Sequence, residues 1–151
     1  TFVKINNILE IDLGNRIVEI KAWKSGHTDN DLTVIDKKTK TLITENIFVK
    51  RIPSIRASIK GWKKNLEETL NLDINLVIPG HGKMTKKEEA IFPMLSYFKR
   101  LLKETRDFHK DNKTLEDAQN QISKKNIEKW LLFENYHPLN ITKTYTELEW
   151  E

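Results

Sequence analysis

Apolar and polar residues alternate in Ile8-Leu9-Glu10-Ile11-Asp12-Leu13, and the alternation resumes in Arg16-Ile17-Val18-Glu19-Ile20-Lys21-Ala22-Trp23. A period near two predicts strands with one apolar face, and the intervening Gly14-Asn15 predicts the turn of a hairpin. Asp31 to Asp36 predicts a third strand around Leu32, Val34 and Ile35. The polar run Asp36-Lys37-Lys38-Thr39-Lys40 turns it into a fourth, Thr41 to Thr44. A fifth short apolar run, Leu76-Val77-Ile78, stops at Pro79-Gly80.

Helical periodicity begins after Pro53. Ile55, Ile59, Trp62, Leu66 and Leu70 form one apolar stripe, with Ser54 as its expected N-cap. A second stripe runs through Met94, Leu95, Phe98, Leu101, Leu102, Thr105 and Phe108. Pro93 fits the first turn of that helix best; the alternative is a cap at Thr85 with Glu88, which leaves Pro93 at a kink. Shorter helices are predicted near Leu115 to Ile122 and Ile127 to Phe133. A last one after Pro138 carries Ile141, Tyr145 and Leu148 on one face.

Strands therefore come first, one helix lies between strands four and five, and helices fill the C-terminal half. Hairpins of this kind need another layer against them. The expected fold class is α/β: half of a layered sandwich, with a β-rich part over residues 1–82 and a helical extension over 83–151 packed on it. Sheet surface left uncovered in such a half-fold would favour association.

Composition narrows the function classes. The 151 residues are 38% hydrophobic and 32% charged, with four Trp and six Phe, which is enough apolar material for a core and argues against disorder. No apolar run approaches the roughly 18 residues of a membrane span. Cysteine is absent, which excludes disulfides, thiolate–metal sites and cysteine nucleophiles. The net charge of +4 is mild, and lysines lie among glutamates, so no phosphate-binding stripe for nucleic acid is expected. The opening Thr1-Phe2-Val3-Lys4 shows neither the basic nor the apolar region of a signal peptide. An initiator Met is also missing there, so an upstream segment is expected. No Gly-rich phosphate loop or Ser-centred nucleophile elbow is present.

Two histidines sit where chemistry gathers. His27 lies in Ser25-Gly26-His27-Thr28-Asp29-Asn30-Asp31, directly before a strand, and His81 lies in Pro79-Gly80-His81-Gly82, directly after one. Flanking glycines let the backbone turn sharply at a sheet rim, and imidazole nitrogen is a preferred zinc donor. Asp29 and Asp31 either orient the His27 imidazole or close the loop. His109, in a Lys/Asp-rich stretch, reads as solvated surface, and His137-Pro138 as the start of the last helix. Trp62, Phe98, Trp130, Tyr145 and Trp150 fall at helical spacing and read as core.

In order, Gly26-His27-Thr28-Asp29-Asn30-Asp31, Leu42-Ile43-Thr44-Glu45-Asn46-Ile47-Phe48 and Ile78-Pro79-Gly80-His81-Gly82 resemble the metallo-β-lactamase superfamily. They match its GHT segment, its T-G-D-x-L-F strand end and its PGHG turn. The resemblance implies the C-terminal half of an αββα metallo-β-lactamase-type sandwich. Within the superfamily the chain is most similar to the quinoprotein relay system zinc metallohydrolases. That likeness rests on His27-Thr28-Asp29-Asn30-Asp31-Leu32, Phe48-Val49-Lys50-Arg51-Ile52-Pro53-Ser54 and Lys60-Gly61-Trp62. The tail Trp130-Leu131-Leu132-Phe133, Tyr136-His137 and Tyr145 to Trp150 extends it.

By that resemblance His27 is a ligand of a first zinc and His81 of a second. Asn46 stands at the position of the family's bridging aspartate, with Glu45 as a substitute carboxylate. A neutral amide lacks the charge that holds two divalent cations close together. The family's H-x-H-x-D-H motif appears nowhere in these residues, and zinc sites normally need three or four protein ligands. The expectation is a zinc hydrolase of esters, thioesters or amides, acting on a small molecule through metal-activated water, incomplete and inactive as this chain alone. The resemblance further implies an exported, periplasmic bacterial protein linked to quinoprotein oxidation. One alternative is a degenerate, metal-free binding protein of the same fold; another is a mildly basic module for an acidic partner.

Overall fold

A computed structural model describes residues 8–125 and 127–151. The opening segment, which bears the expectation about a leader, lies outside the described residues. The chain forms strands β1 (Ile8–Asp12), β2 (Ile17–Ala22), β3 (Leu32–Asp36) and β4 (Thr41–Thr44), then helix α1 (Ile59–Leu70) and strand β5 (Leu76–Ile78). Strand β6 (Thr85–Lys86) and helices α2 (Lys87–Lys110), α3 (Leu115–Gln121) and α4 (Phe133–Leu148) complete it. The strands make one six-stranded sheet in sequential order. Every pair is antiparallel except β4 with β5. A parallel pair cannot be joined by a tight turn, and α1 supplies the crossover.

The two faces of the sheet differ. Ile35, Leu42 and Val77 point into the core with Trp62 and Leu66 of α1 and Ile91 and Phe98 of α2. On the other face, the register lines up Leu9, Ile20, Val34, Ile43 and Ile78 across five strands. Among the described residues no helix covers that row: Ile43 is 44% and Ile78 41% exposed, and the other three are half-buried. The α/β layering expected of half a sandwich is thus present, with one apolar sheet face open to solvent.

Several element boundaries differ from the sequence pattern. Helix α1 starts one turn later than its stripe, capped by Ser58, whose Oγ accepts from Gly61 N at 2.9 Å. Glu147 of α4 reinforces this end. Its carboxylate accepts from Ser58 Oγ at 2.7 Å and from Ile59 N at 2.8 Å, placing negative charge at the positive end of the helix dipole. Helix α2 begins at Lys87, so Pro93 lies inside it rather than in its first turn. Pro138 likewise lies inside α4 rather than at its boundary. The residues from Ile127 do not form the expected helix. Leu131 instead adds to the 50–52 backbone, donating to Lys50 O at 3.0 Å and accepting from Ile52 N at 3.1 Å. Trp150 is 89% exposed, not core, because α4 ends at Leu148 before its face can bury it. His109 is not solvated surface either: its Nε2 bonds Tyr145 O at 2.9 Å and ties α2 to α4.

A buried polar chain fastens α4 to the rest. Asn140 Oδ1 accepts from Ile55 N at 3.0 Å, while its Nδ2 donates to Pro53 O at 2.6 Å and to Tyr97 Oη at 3.1 Å. The Tyr97 hydroxyl and His137 Nδ1 share a hydrogen bond at 3.1 Å, and His137 Nε2 is buried without a partner among the described residues. Burial lowers the His137 pKa from 6.5 to about 4, helped by the charges of Lys124 and Arg100.

Asn140→Ala should cost about 2–4 kcal/mol in urea unfolding, because it strands two buried backbone groups. A second outcome concerns pH. His137 is harder to protonate in the folded chain, so the unfolded chain takes the proton first as pH falls. Its contribution to stability is full above pH 6.5 and is lost, by up to about 3 kcal/mol, as pH falls toward 4. Unfolding midpoints at pH 7 and pH 4.5 measure this, and His137→Gln should flatten the dependence.

Candidate functional site

Because β4 and β5 run parallel, their carboxyl ends leave the sheet at one rim, where ligand sites of α/β folds gather. Glu45 and Asn46 follow β4, and the Pro79-Gly80-His81-Gly82 turn follows β5. The two segments pack backbone to backbone. A Cβ on Gly80 would stand 2.2 Å from Glu45 O, so no larger residue fits there. His81 then continues beside Phe48, with Val49 N donating to His81 O at 2.8 Å. The loop from β2 to β3 carries His27 to the same place. It is pressed on the start of α1, where a Cβ on Gly61 would stand 1.9 Å from Ser25 O.

Both imidazoles touch the same ring. Phe48 lies 5.3 Å from His27 and 4.7 Å from His81 between centroids, and the Trp62 ring lies tilted beside His27 at 4.7 Å. His27 is buried, and its Nδ1 donates to Ser54 O at 2.9 Å. A carbonyl only accepts, so the hydrogen sits on Nδ1 and the lone pair on Nε2, which has no hydrogen-bond partner among the described residues. Desolvation lowers the His27 pKa and Asp31 partly offsets it; the charge of Arg56 and that of His81 lower it further. Ser54, expected as a helix cap, thus acts as the group that orients this ring.

His81 is arranged differently. Arg51 Nη1 approaches its Nδ1 at 2.8 Å. A guanidinium only donates, so Nδ1 accepts and the neutral ring carries its hydrogen on Nε2. Burial and then the charge of Arg51 lower the His81 pKa. Arg51 carries no role in the sequence pattern beyond its place in Phe48-Val49-Lys50-Arg51-Ile52-Pro53-Ser54. Nothing in its spacing shows that the bridge between Phe48 and His81 brings it onto the imidazole.

The carboxylates and the amide also hold the local chain. Asp31 Oδ1 accepts from Thr28 N at 2.9 Å and Thr28 Oγ1 at 2.6 Å, closing the loop, while its buried Oδ2 has no partner among the described residues. Asp29 accepts the Ser25 hydroxyl at 2.6 Å. Asn46 is buried, its Oδ1 accepting the Thr44 hydroxyl at 2.5 Å and its carbonyl accepting Trp62 Nε1 at 3.0 Å. Glu45 accepts from Leu32 N at 3.2 Å, and burial pushes its carboxyl pKa up.

These donors do not fit zinc by themselves. His27 presents a lone pair, but His81 in this tautomer presents none at Nε2, and Asn46 brings no charge. Among the described residues no three His, Cys, Asp or Glu side chains come together as a metal site. Also among the described residues, no helix is long and apolar enough to cross a membrane.

No protein-family model matches this sequence, and no curated protein is significantly similar to it. Solved structures are similar in fold. The inverting sec-alkylsulfatase Pisa1 from Pseudomonas sp. matches at TM-score 0.71 with 14% identity, covering 95% of this chain and 26% of its own. A metallo-β-lactamase family protein of Thermus thermophilus matches at 0.62 with 11% identity, covering 98% and 47%. A metallo-β-lactamase from Pontibacter korlensis matches at 0.55 with 18% identity, covering 64% and 48%. The chain therefore has the fold of part of a metallo-β-lactamase-type domain, and spans less than half the length of each of these proteins.

Nitrogen-15 NMR of the imidazoles should show His27 as the Nδ1–H tautomer and His81 as the Nε2–H tautomer at pH 7. Arg51→Gln should raise the His81 pKa, because it removes a cation from the ring, and should leave the His27 tautomer unchanged.

Proposed function

We propose that this chain is the C-terminal portion of a metallo-β-lactamase-fold hydrolase. The observation that carries this reading is the uncovered row Leu9, Ile20, Val34, Ile43 and Ile78, which suits the second sheet of an αββα sandwich. In this reading the sheet half with its crossover helix gives way to the helical extension near residue 82, with the short strand β6 (Thr85–Lys86) carrying the sheet's last pairing just past that boundary. His27 offers its free Nε2 to a metal whose other ligands lie outside this chain, and Asp31 steadies the ring through its charge. His81 joins only when Arg51 releases its Nδ1, and Glu45 is the substitute carboxylate beside the bridging place that Asn46 fills. The reaction class is hydrolysis of a small ester, thioester or amide by metal-activated water, and this chain's residues alone do not complete it. The subfamily that the Phe48 to Ser54 and Lys60-Gly61-Trp62 segments favour is the quinoprotein relay zinc metallohydrolases, which suggests an exported bacterial protein.

A second reading has its own support. Arg51 on His81 and the neutral Asn46 favour a metal-free member of the same fold, used for binding. Metal content of the whole protein by mass spectrometry separates the two. Near-stoichiometric zinc that is lost on His27→Ala is the outcome expected of the hydrolase. Zinc retained in that variant removes His27 from the site, and a whole protein that binds none after zinc loading leaves the metal-free reading.

A further inference from the structure

We propose that the cleft between the loop after His81, helix α2 and the residues Lys125, Ile127, Trp130 and Leu131 binds an amphipathic organic anion, with an alkyl or aryl body on its apolar wall and an oxyanion head at its cationic rim. The cavity measures about 960 Å³, at the upper end of the range for small-molecule sites. Phe48, Pro93, Trp130 and Leu131 contribute apolar wall. Leu131, 68% exposed, and Met84, 59% exposed, stand at the mouth with their side chains in water. A ligand body would cover both.

The charge around this wall is one-sided. Lys50, Lys83, Arg100 and Lys125 line the cleft against a single carboxylate, Glu89, which already accepts the Thr85 hydroxyl. None of these four cations is ion-paired among the described residues, a state they share with other surface lysines such as Lys24, Lys64 and Lys129; what sets them apart is that all four line one apolar opening. A chain with a net charge of only +4 thus gathers four unpaired cations at one apolar opening. Arg100 is held there by its bond from Nη1 to Lys125 O at 2.6 Å, and its Nη2 has no partner among the described residues. A fixed guanidinium beside flexible lysines suits a carboxylate or sulfate head. A cationic or uncharged amphiphile would face repulsion or gain nothing from the rim.

The cleft shares Phe48 with both imidazoles, so a ligand bound there lies beside the rim, but its recognition needs no metal. The test uses the whole protein as purified and octanoate below its micelle concentration, followed by backbone NMR and Trp fluorescence. Because the readout maps to the cleft, its failure is separate from any failure to bind zinc. Shifts should centre on Gly82, Lys83 and the Trp130 indole, and octyl sulfate should bind within a few-fold of octanoate. Octanol and octyltrimethylammonium should bind about tenfold or more weakly. Lys83→Glu and Lys125→Glu, both at exposed positions, should each weaken octanoate about fivefold with unfolding midpoints unchanged. Octanoate that leaves the cleft resonances unmoved overturns the proposal. So does equal binding of the octyl cation, or affinity unchanged within about twofold in both charge-reversed variants.

Discussion

β4 and β5 run in the same direction, and much of the site's geometry follows from that one pairing. Two parallel neighbours need a crossover, so α1 must traverse the core face and return the chain to the starting end of the sheet. Both strands then finish at the same edge. The residues that follow them, Glu45 and Asn46 on one side and Gly80 and His81 on the other, meet there at backbone contact. The start of α1 lies at that edge too, and its Gly61 lets the loop bearing His27 settle against it. Antiparallel pairing here would send the two segments to opposite ends of the sheet.

Much of this was legible in the chain. The alternation from Ile8 to Thr44 marks four strands within a residue or two of their bounds, and Pro79-Gly80 marks the end of β5 where it falls. The GHT and PGHG segments place both histidines at a rim because topology, not propensity, decides where strand ends go. The failures are tertiary. Ser54 looks like a cap, but its carbonyl is claimed by His27 and the next backbone amide by Asn140, so the helix waits until Ser58. The 127–133 stretch has helical spacing, but its backbone finds partners in residues 50–52. Thr85–Lys86 is too short and polar to read as a strand before β5 is seen beside it.

The site itself is half legible for the same reason. His27 and His81 carry similar local signals, yet their hydrogen-bond partners give them opposite tautomers. A carbonyl leaves one ring with a lone pair on Nε2; a guanidinium leaves the other with a hydrogen there. Arg51 lies thirty positions from His81 and reads in the sequence as one more surface cation. Its contact depends on the bridge that lays Phe48 along the PGHG turn. Chemistry at such a rim is set as much by these neighbours as by the imidazoles.

The sequential order of the six strands bears on how the molecule is made. Each strand lies beside the one that precedes it in the chain, so no strand must wait for a distant stretch before it can pair. Loop closures are short except for the one that α1 spans, which keeps the entropic barrier to assembly low. A sheet of this kind can grow from one edge as the chain emerges from a ribosome, with β1 and β2 zipped before the residues of β5 are synthesised. The parallel step is the slow one, and until it is complete β4 is a bare edge open to wrong partners.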